Sequence, residues 1–241
     1  MHLGQFVDLR QSRRGDQKTK GDQEVFHGAS YIRLTRFSLG EGKRLPRHRR
    51  VGMRVTGGKL GGRRLIAPDD ARVRPTSDRT RQAIFNILEH RDFGIGFTLE
   101  NAAVVDLFAG TGALGIEALS RGASFCLLVD DSAESRALQR ENVEALGLTG
   151  TTKIWRRDAT DLGPLGAGAG GPFDLVFLDP PYRKDLVAPA LKSLRDGGWL
   201  TTWALLVIET AKGESFAAEG YEQLDMRDYG ETQLAFLTTP K

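Results

Sequence analysis

The most informative segment of this 241-residue chain is Val104-Val105-Asp106-Leu107-Phe108-Ala109-Gly110-Thr111-Gly112-Ala113-Leu114-Gly115. An apolar run leads into closely spaced glycines, which is typical of a strand that turns directly into a helix. Glycines in such a turn allow the backbone to approach a bound nucleotide. Asp130 follows Gly110 by 20 residues and ends the next apolar run, where a carboxylate can accept both ribose hydroxyls. The segment therefore predicts a nucleotide-binding turn.

Asp106 narrows the choice of ligand for this turn. It comes just before the glycines, where its carboxylate would face the ligand. A negative charge there repels a pyrophosphate but suits a ligand that carries an ammonium or a sulfonium group. An NAD-dependent oxidoreductase is an alternative, but the sequence shows no acid or base for hydride transfer.

A second motif follows the fourth predicted strand and reads Asp174-Leu175-Val176-Phe177-Leu178-Asp179-Pro180-Pro181-Tyr182. Two prolines directly after a buried strand stop its hydrogen-bond ladder and fix a rigid turn at the carboxyl edge of the sheet, where α/β proteins bind ligands. Asp179 and the carbonyl of Pro180 can accept hydrogen bonds from an exocyclic amine, and Tyr182 can stack on a flat ring. The motif favours a site for the amino group of a nucleobase.

The rest of the chain from Ala102 onward alternates apolar strands with amphipathic helices, which indicates a parallel sheet covered on both faces. The strands are predicted at 103–108, 125–130, 152–156, 173–178, 204–209, 221–227 and 232–237, and the helices at 113–121, 133–146 and 185–195. We expect an α/β, Rossmann-like, seven-stranded sheet, mostly parallel, with a C-terminal antiparallel hairpin. The buried stripe of the helix at 133–146 is predicted to consist of Ala133, Ala137, Leu138, Ala145 and Leu146.

A small unit precedes this sheet. Residues 53–56 and 63–67 are short strand candidates joined by glycine pairs, which is typical of a β-hairpin. Thr76 or Ser77 can cap a helix that runs to about Leu88. The fold class is thus the seven-stranded sheet plus a small N-terminal β-hairpin and helix.

Charge is distributed unevenly along the chain. Residues 1–81 carry 20 Lys and Arg against 8 Asp and Glu, whereas residues 82–241 carry 14 against 23, which together give the net charge of +3. A basic front on an acidic body indicates that the front meets a polyanion and favours nucleic acid as that partner. For residues 1–52, a nucleic-acid-binding arm and a solvated, disordered basic tail are equally open, and a mis-assigned start is a further alternative. The leading candidates for phosphate contact are Arg63, Arg64, Arg74, Arg79 and Arg81, the last two expected to face solvent or a ligand.

Composition excludes several classes of protein. No apolar run approaches the roughly 20 residues that a membrane span needs. The single cysteine, Cys126, rules out an intramolecular disulfide, and the four histidines are scattered, which disfavours a metal centre. We expect a cytoplasmic monomer without a metal.

Together, the two motifs resemble the S-adenosylmethionine-dependent methyltransferases that modify amino groups of nucleobases. The front narrows the resemblance, because Met53-Arg54-Val55-Thr56-Gly57-Gly58, Arg74-Pro75-Thr76 and Phe85-Asn86-Ile87-Leu88 are similar to the RsmD family of bacterial 16S rRNA guanine-N2 methyltransferases. The resemblance runs from Met53 to about Leu237. It implies an RNA-docking unit at 53–101 and a methyltransferase domain at 102–241, whereas the basic extension at 1–52 departs from the family pattern.

The resemblance also implies roles for individual residues. The cofactor would be S-adenosylmethionine, with its methionine half lined by Asp106, Gly110 and Gly112, its ribose held by Asp130, and its adenine amino group bound by Asp158. Phe108 and Ala159 would also contact the cofactor. The target guanine would be held by Asp179, Pro180, Pro181 and Tyr182. The partner would be 16S rRNA or an assembling small ribosomal subunit.

Two alternatives to guanine-N2 methylation stay open. Adenine-N6 methylation of nucleic acid uses the same Asp-Pro-Pro-Tyr motif, although the sequence shows no inserted target-recognition domain. A ribosome-assembly factor would bind RNA without methylating it. The intact residues Asp106, Gly110, Asp130 and Asp179 argue against that second alternative.

Overall fold

The computed structural model describes residues 53–68 and 77–240 of the chain. Its strands are β1 (Ala103–Leu107), β2 (Phe125–Val129), β3 (Thr152–Trp155), β4 (Phe173–Leu178), β5 (Leu200–Ala211), β6 (Glu222–Tyr229) and β7 (Thr232–Thr238). They form one sheet in the order β3-β2-β1-β4-β5-β7-β6. The first five strands are parallel, and β7 pairs antiparallel with both β5 and β6. The predicted sheet with its C-terminal hairpin is confirmed.

The described helices are α1 (Asp78–His90), α2 (Ala113–Ser120), α3 (Ala133–Ala145) and α4 (Val187–Asp196). The cap of α1 is Ser77, whose hydroxyl accepts the N–H of Thr80 at 3.0 Å. Thr76 and Arg74 lie outside the described residues, as do residues 1–52.

Alternate residues of each strand enter one of two hydrophobic clusters, because successive side chains of a strand point to opposite faces. Val104 packs in the cluster that also contains Phe85 of α1 and Leu114 of α2. Val105 packs in the other cluster with Leu191 of α4. The helices therefore cover both faces of the sheet, and its ligand-binding edge is left open.

The predicted N-terminal hairpin is reduced to a single antiparallel bridge between Arg54 and Arg64, with a short 3₁₀ helix (Gly58–Leu60) at its turn. Hairpin hydrogen bonds are present, from the N–H of Val55 to the carbonyl of Arg63 at 2.9 Å and from the N–H of Leu65 to the carbonyl of Met53 at 3.0 Å, but the pairing is shorter than the two predicted strands. The segment also bonds to α2. The N–H of Thr56 donates to Glu117 at 2.7 Å, and the N–H of Leu60 donates to the Ser120 hydroxyl at 2.9 Å.

The predicted buried stripe of α3 is correct at Leu138 and Leu146 and wrong at its three alanines, Ala133, Ala137 and Ala145, which are exposed. The buried face instead includes two amides, Gln139 and Asn142. Polar side chains are stable in that position because each donates a hydrogen bond to a backbone carbonyl of the turn after β1.

Within the part of the chain that the structure describes, we searched for membrane-spanning helices and for metal-ion sites. None of its helices is long and apolar enough to cross a membrane. None of its groups of His, Cys, Asp and Glu residues is arranged to hold a metal ion.

Candidate active site

A cavity of about 600 Å³ opens at the carboxyl ends of β1, β2 and β4. Both sequence motifs line it, because the carboxyl ends of parallel strands meet at one edge of the sheet. The lining residues that the sequence had indicated are Asp106, Phe108, Gly110, Asp130, Asp158, Ala159, Asp179, Pro180, Pro181 and Tyr182. The two motifs, which are distant in sequence, thus converge on one site.

The glycines of the first motif divide into two roles. Gly110 has φ +53°, and a Cβ at this position would meet no atom nearer than 4.0 Å, so its backbone borders open space. Gly112, which was expected on the cavity wall, does not line it. A Cβ at Gly112 would lie 2.9 Å from the Leu128 side chain, so this glycine allows α2 to pack closely against β2.

Asp106 supplies a buried carboxylate to the cavity. Its Oδ2 accepts the N–H of Gly115 at 3.0 Å, and no Lys or Arg among the described residues forms an ion pair with it. Burial raises the pKa of Asp106 to about 7, and the nearby charge of Asp130 acts in the same direction. A cationic ligand group in the cavity would stabilise the ionised form.

Asp130 joins the end of β2 to the glycine turn. Its Oδ2 accepts the N–H of Gly110 at 2.8 Å, and its Oδ1 accepts the N–H of Ser132 at 2.9 Å. Burial raises the pKa of this carboxyl above its usual value. Each carboxylate oxygen can accept a second hydrogen bond, so a ribose diol still finds acceptors here.

Asp158 lies at the exposed side of the cavity. Its Oδ1 accepts both the hydroxyl of Thr160 at 2.7 Å and the N–H of Thr160 at 2.8 Å. These hydrogen bonds lower the pKa of Asp158, so that its carboxylate stays ionised and can accept a hydrogen bond from a ligand.

The second motif places a fixed aromatic ring at the cavity. The Tyr182 hydroxyl donates to Oε1 of Glu209 at 2.8 Å and lies 3.1 Å from the Thr232 hydroxyl. Glu209 on β5 is buried, and burial raises the pKa of Tyr182 above its usual value. Because its hydroxyl is held, the ring of Tyr182 is oriented before any ligand arrives. Asp179 lines the same cavity.

Sequence reasoning missed the amides of α3 that hold the glycine turn. The Gln139 amide donates to the carbonyl of Gly110 at 3.1 Å. The Asn142 amide donates to the carbonyls of Thr111 and Ile66, both at 3.0 Å, and so joins the turn to the N-terminal segment. The available signal was a pair of amides spaced three residues apart, and therefore on one face, in a helix with few apolar residues.

The arginines that were predicted to contact RNA differ in exposure. Arg63, Arg64 and Arg79 are exposed, as expected. The Arg63 guanidinium donates to the carbonyl of Ala145 at 3.1 Å, at the far end of α3 from Ser135 in the cavity wall. That separation along the helix is about 15 Å.

Arg81 was expected to face solvent or a ligand, and this is wrong. Its side chain is fully buried, with Nε 3.4 Å from Glu117 and Nη2 2.7 Å from Asp78. The two carboxylates offset the loss of hydration that burial imposes on the guanidinium. Arg81 is therefore a structural residue that joins α1 to α2.

Comparison with solved structures defines the class of this fold. The structure of Escherichia coli yhhF has a TM-score of 0.63 and 28% sequence identity, covering 78% of this chain and 97% of that one. An RNA methyltransferase from Salinibacter ruber, solved with S-adenosyl-L-homocysteine, has a TM-score of 0.50 at 14% identity, covering 69% of this chain and 94% of that one. The architecture is that of the S-adenosylmethionine-dependent methyltransferases.

Sequence comparison then identifies the family. The family model described as Conserved hypothetical protein 95 matches residues 53–238. Ribosomal RNA small subunit methyltransferase D of Escherichia coli strain K12 is 37% identical over 167 residues, which cover 68% of this chain and 78% of that protein. The chain belongs to this family, the RsmD family.

Proposed function

We propose that this protein is an S-adenosylmethionine-dependent methyltransferase that modifies the exocyclic N2 amino group of a guanine in 16S rRNA of the small ribosomal subunit. The observation that carries the proposal is the cavity that Asp106, Gly110, Asp130 and the Asp179–Tyr182 turn share. The 37% identity to an enzyme named for small-subunit rRNA methylation supports the choice of substrate.

The cavity suits the proposed cofactor. S-adenosylmethionine, when bound, supplies a methyl group on a sulfonium. Asp106 offers the buried negative charge that a cationic ligand needs, and the open backbone at Gly110 leaves room beside it. Asp130 would accept the ribose hydroxyls, and Asp158, kept ionised by Thr160, would accept the adenine amino group.

The Asp179–Tyr182 turn would hold the base. A guanine amino group is a poor nucleophile, since its lone pair is delocalised into the ring. If Asp179 and the Pro180 carbonyl accept its two N–H bonds, the nitrogen can pyramidalise and direct its lone pair at the methyl group. Tyr182 would stack on the base, which must leave its helix or come from a loop. Asp179 can then take the released proton.

The partner surface completes the proposal. Residues 53–101 would form the RNA-docking unit, with the exposed Arg63, Arg64 and Arg79 contacting phosphates. The substrate would be naked 16S rRNA or an assembling particle, and the protein would be a cytoplasmic monomer.

Calorimetry with S-adenosylmethionine, followed by methyl transfer to 16S rRNA, separates this enzyme from an assembly factor that only binds RNA.

Cofactor affinity is expected to depend on pH through Asp106. With a pKa of about 7 in the cofactor-free protein, this carboxyl must lose its proton to pair with a cation. The dissociation constant for S-adenosylmethionine should therefore fall as the pH rises from 5.5 to 7.5, by up to about tenfold for each pH unit below 7.

Asp106→Asn provides the control, because an amide does not titrate in this range. The variant should bind the cofactor more weakly, and its affinity should hardly change between pH 5.5 and 7.5. As the pH rises from 3.8, the ordinary pKa of the carboxyl, to about 7, the unliganded wild type should also lose stability. The reason is that folding raises the pKa of Asp106, so the folded protein holds this proton more tightly than the unfolded chain does. Equal pH profiles for the two proteins would contradict the role of Asp106.

Neutralising the exposed arginines should weaken RNA binding. Replacing Arg63, Arg64 and Arg79 together by alanine should lower the slope of the logarithm of affinity against the logarithm of salt concentration, by about 0.7–0.9 for each phosphate that is no longer neutralised. The measurement is filter binding of 16S rRNA over a salt series. A Lys153→Ala/Lys192→Ala variant is the control, because it removes exposed positive charge elsewhere and should leave the slope nearly unchanged. If the slope changes equally per removed charge in both variants, RNA docking is not confined to residues 53–101.

A further inference from the structure

The loop after the Asp-Pro-Pro-Tyr motif lies at the rim of the cavity. Tyr182 and Leu186 both line the cavity, so the three residues between them connect two parts of its wall. These residues, Arg183, Lys184 and Asp185, are all exposed. Two exposed cationic residues therefore follow directly in sequence the tyrosine that is proposed to stack on the base.

The backbone of this loop adopts a conformation that its sequence does not favour. Arg183 has φ +57° and Asp185 has φ +53°, in the left-handed region that residues with a Cβ rarely adopt. Such conformations persist only where the surroundings support them, and they are frequent at ligand-binding sites.

Glu214 provides that support. Its Oε1 accepts the N–H of Arg183 at 2.8 Å, and its Oε2 accepts the N–H of Ala211, the last residue of β5, at 3.1 Å. One half-buried carboxylate therefore ties the loop to the end of the sheet. The loop is held in place by the scaffold rather than by its own sequence.

The lining of the cavity is predominantly acidic, which bears on the role of the two cations in the loop. Five aspartates line the cavity, and Arg157 is the one cation among its described lining residues. A phosphate that approaches such a mouth is repelled unless positive charge stands at the rim. Within residues 53–68 and 77–240, neither Arg183 nor Lys184 forms an ion pair, so both charges are available although Asp185 offsets one of them.

We propose that Arg183 and Lys184 contact the RNA phosphates that flank the target nucleotide, and that Glu214 is the positioning residue that holds them at the cavity mouth. This inference rests on the proposed RNA substrate. It adds a second docking surface, distinct from Arg63, Arg64 and Arg79, at the opening through which the base must enter.

Filter binding of 16S rRNA to the full chain tests the inference without requiring methyl transfer. Arg183→Ala/Lys184→Ala should weaken binding severalfold at low salt and lower the salt slope by about 0.7–0.9 for each phosphate that the loop no longer neutralises. Lys153→Ala/Lys192→Ala is the matched control. If the loop variant binds RNA as tightly as this control, or if the wild type binds no RNA, the inference is overturned.

Glu214 gives the sharper test, because loss of its negative charge and loss of its hold on the loop should change RNA affinity in opposite directions. Removing a carboxylate should by charge alone strengthen binding to a polyanion. Releasing the loop should instead weaken it, so we expect Glu214→Ala to bind 16S rRNA several times more weakly than wild type and Glu214→Gln to recover part of the affinity. Glu231→Ala, which removes an exposed carboxylate from the β6–β7 turn, should bind as tightly as wild type or more so. Unchanged or tighter binding by Glu214→Ala would reject the positioning role.

A failure here differs from a failure of the proposed function. Wild-type protein that methylates guanine in 16S rRNA while the loop and Glu214 variants bind RNA normally would leave the enzyme assignment intact and remove this surface. Wild-type protein that binds RNA through the loop but transfers no methyl group would support this surface and contradict the enzyme assignment.

Discussion

Asp179→Ala is expected to lower the rate of methyl transfer by about 100-fold or more, because it removes an aligned acceptor that acts on the reacting amino group. The dissociation constant for S-adenosylmethionine should change little, since Asp179 follows β4 whereas Asp106 lies in β1 and Asp130 follows β2. Single-turnover transfer and calorimetry measure the two effects separately.

Asp131→Ala is the matched control for this substitution. Asp131 also lines the cavity, so its removal changes the charge of the site by the same amount without removing the acceptor at the end of β4. The control should keep most of its activity. An Asp179→Ala protein that retains more than a tenth of wild-type turnover would contradict the assignment of Asp179.

Glu117→Gln is expected to lower the free energy of unfolding by about 3–5 kcal/mol, the usual result of removing one partner from a buried ion pair. The Glu117 side chain is fully buried and lies 3.4 Å from Arg81 and 2.8 Å from Arg121. It also accepts hydrogen bonds from the N–H and the hydroxyl of Thr56, at 2.7 and 2.8 Å. The variant would leave Arg81 buried with less compensating charge.

Urea denaturation measures this destabilisation, and Glu89→Gln is its control. Glu89 pairs with the same Arg121 at 2.8 Å, but its side chain is partly exposed, so its removal should cost about 1 kcal/mol or less. If the two variants are destabilised equally, Glu117 does not have the central role that its contacts indicate.

The parts of the fold that the sequence predicted are those in which local pattern decides the structure. The apolar run before Gly110 and the two prolines after Leu178 define where β1 and β4 end. The parallel arrangement then brings those ends to one edge, so most of the cavity could be predicted without coordinates.

The parts that were missed depend on partners distant in sequence. A helical arginine such as Arg81 is usually solvated, and its partner Glu117 lies 36 residues away on another helix. The one available signal was Glu117 itself, the single charged residue in an otherwise apolar α2. The contacts of the N-terminal hairpin with α2 were missed for the same reason, because the N–H groups of Thr56 and Leu60 donate to Glu117 and Ser120, which lie 61 and 60 residues away.

The most direct test of the proposed reaction is identification of the methylated nucleoside. Small ribosomal subunits purified from a strain that lacks the enzyme would be incubated with the full chain and S-adenosylmethionine carrying a tritiated methyl group. The RNA would then be digested to nucleosides and separated. We predict that the label appears in N2-methylguanosine of 16S rRNA, and that Asp179→Ala abolishes it. Label in N6-methyladenosine, or no transfer by a protein that binds the cofactor, would contradict the proposal.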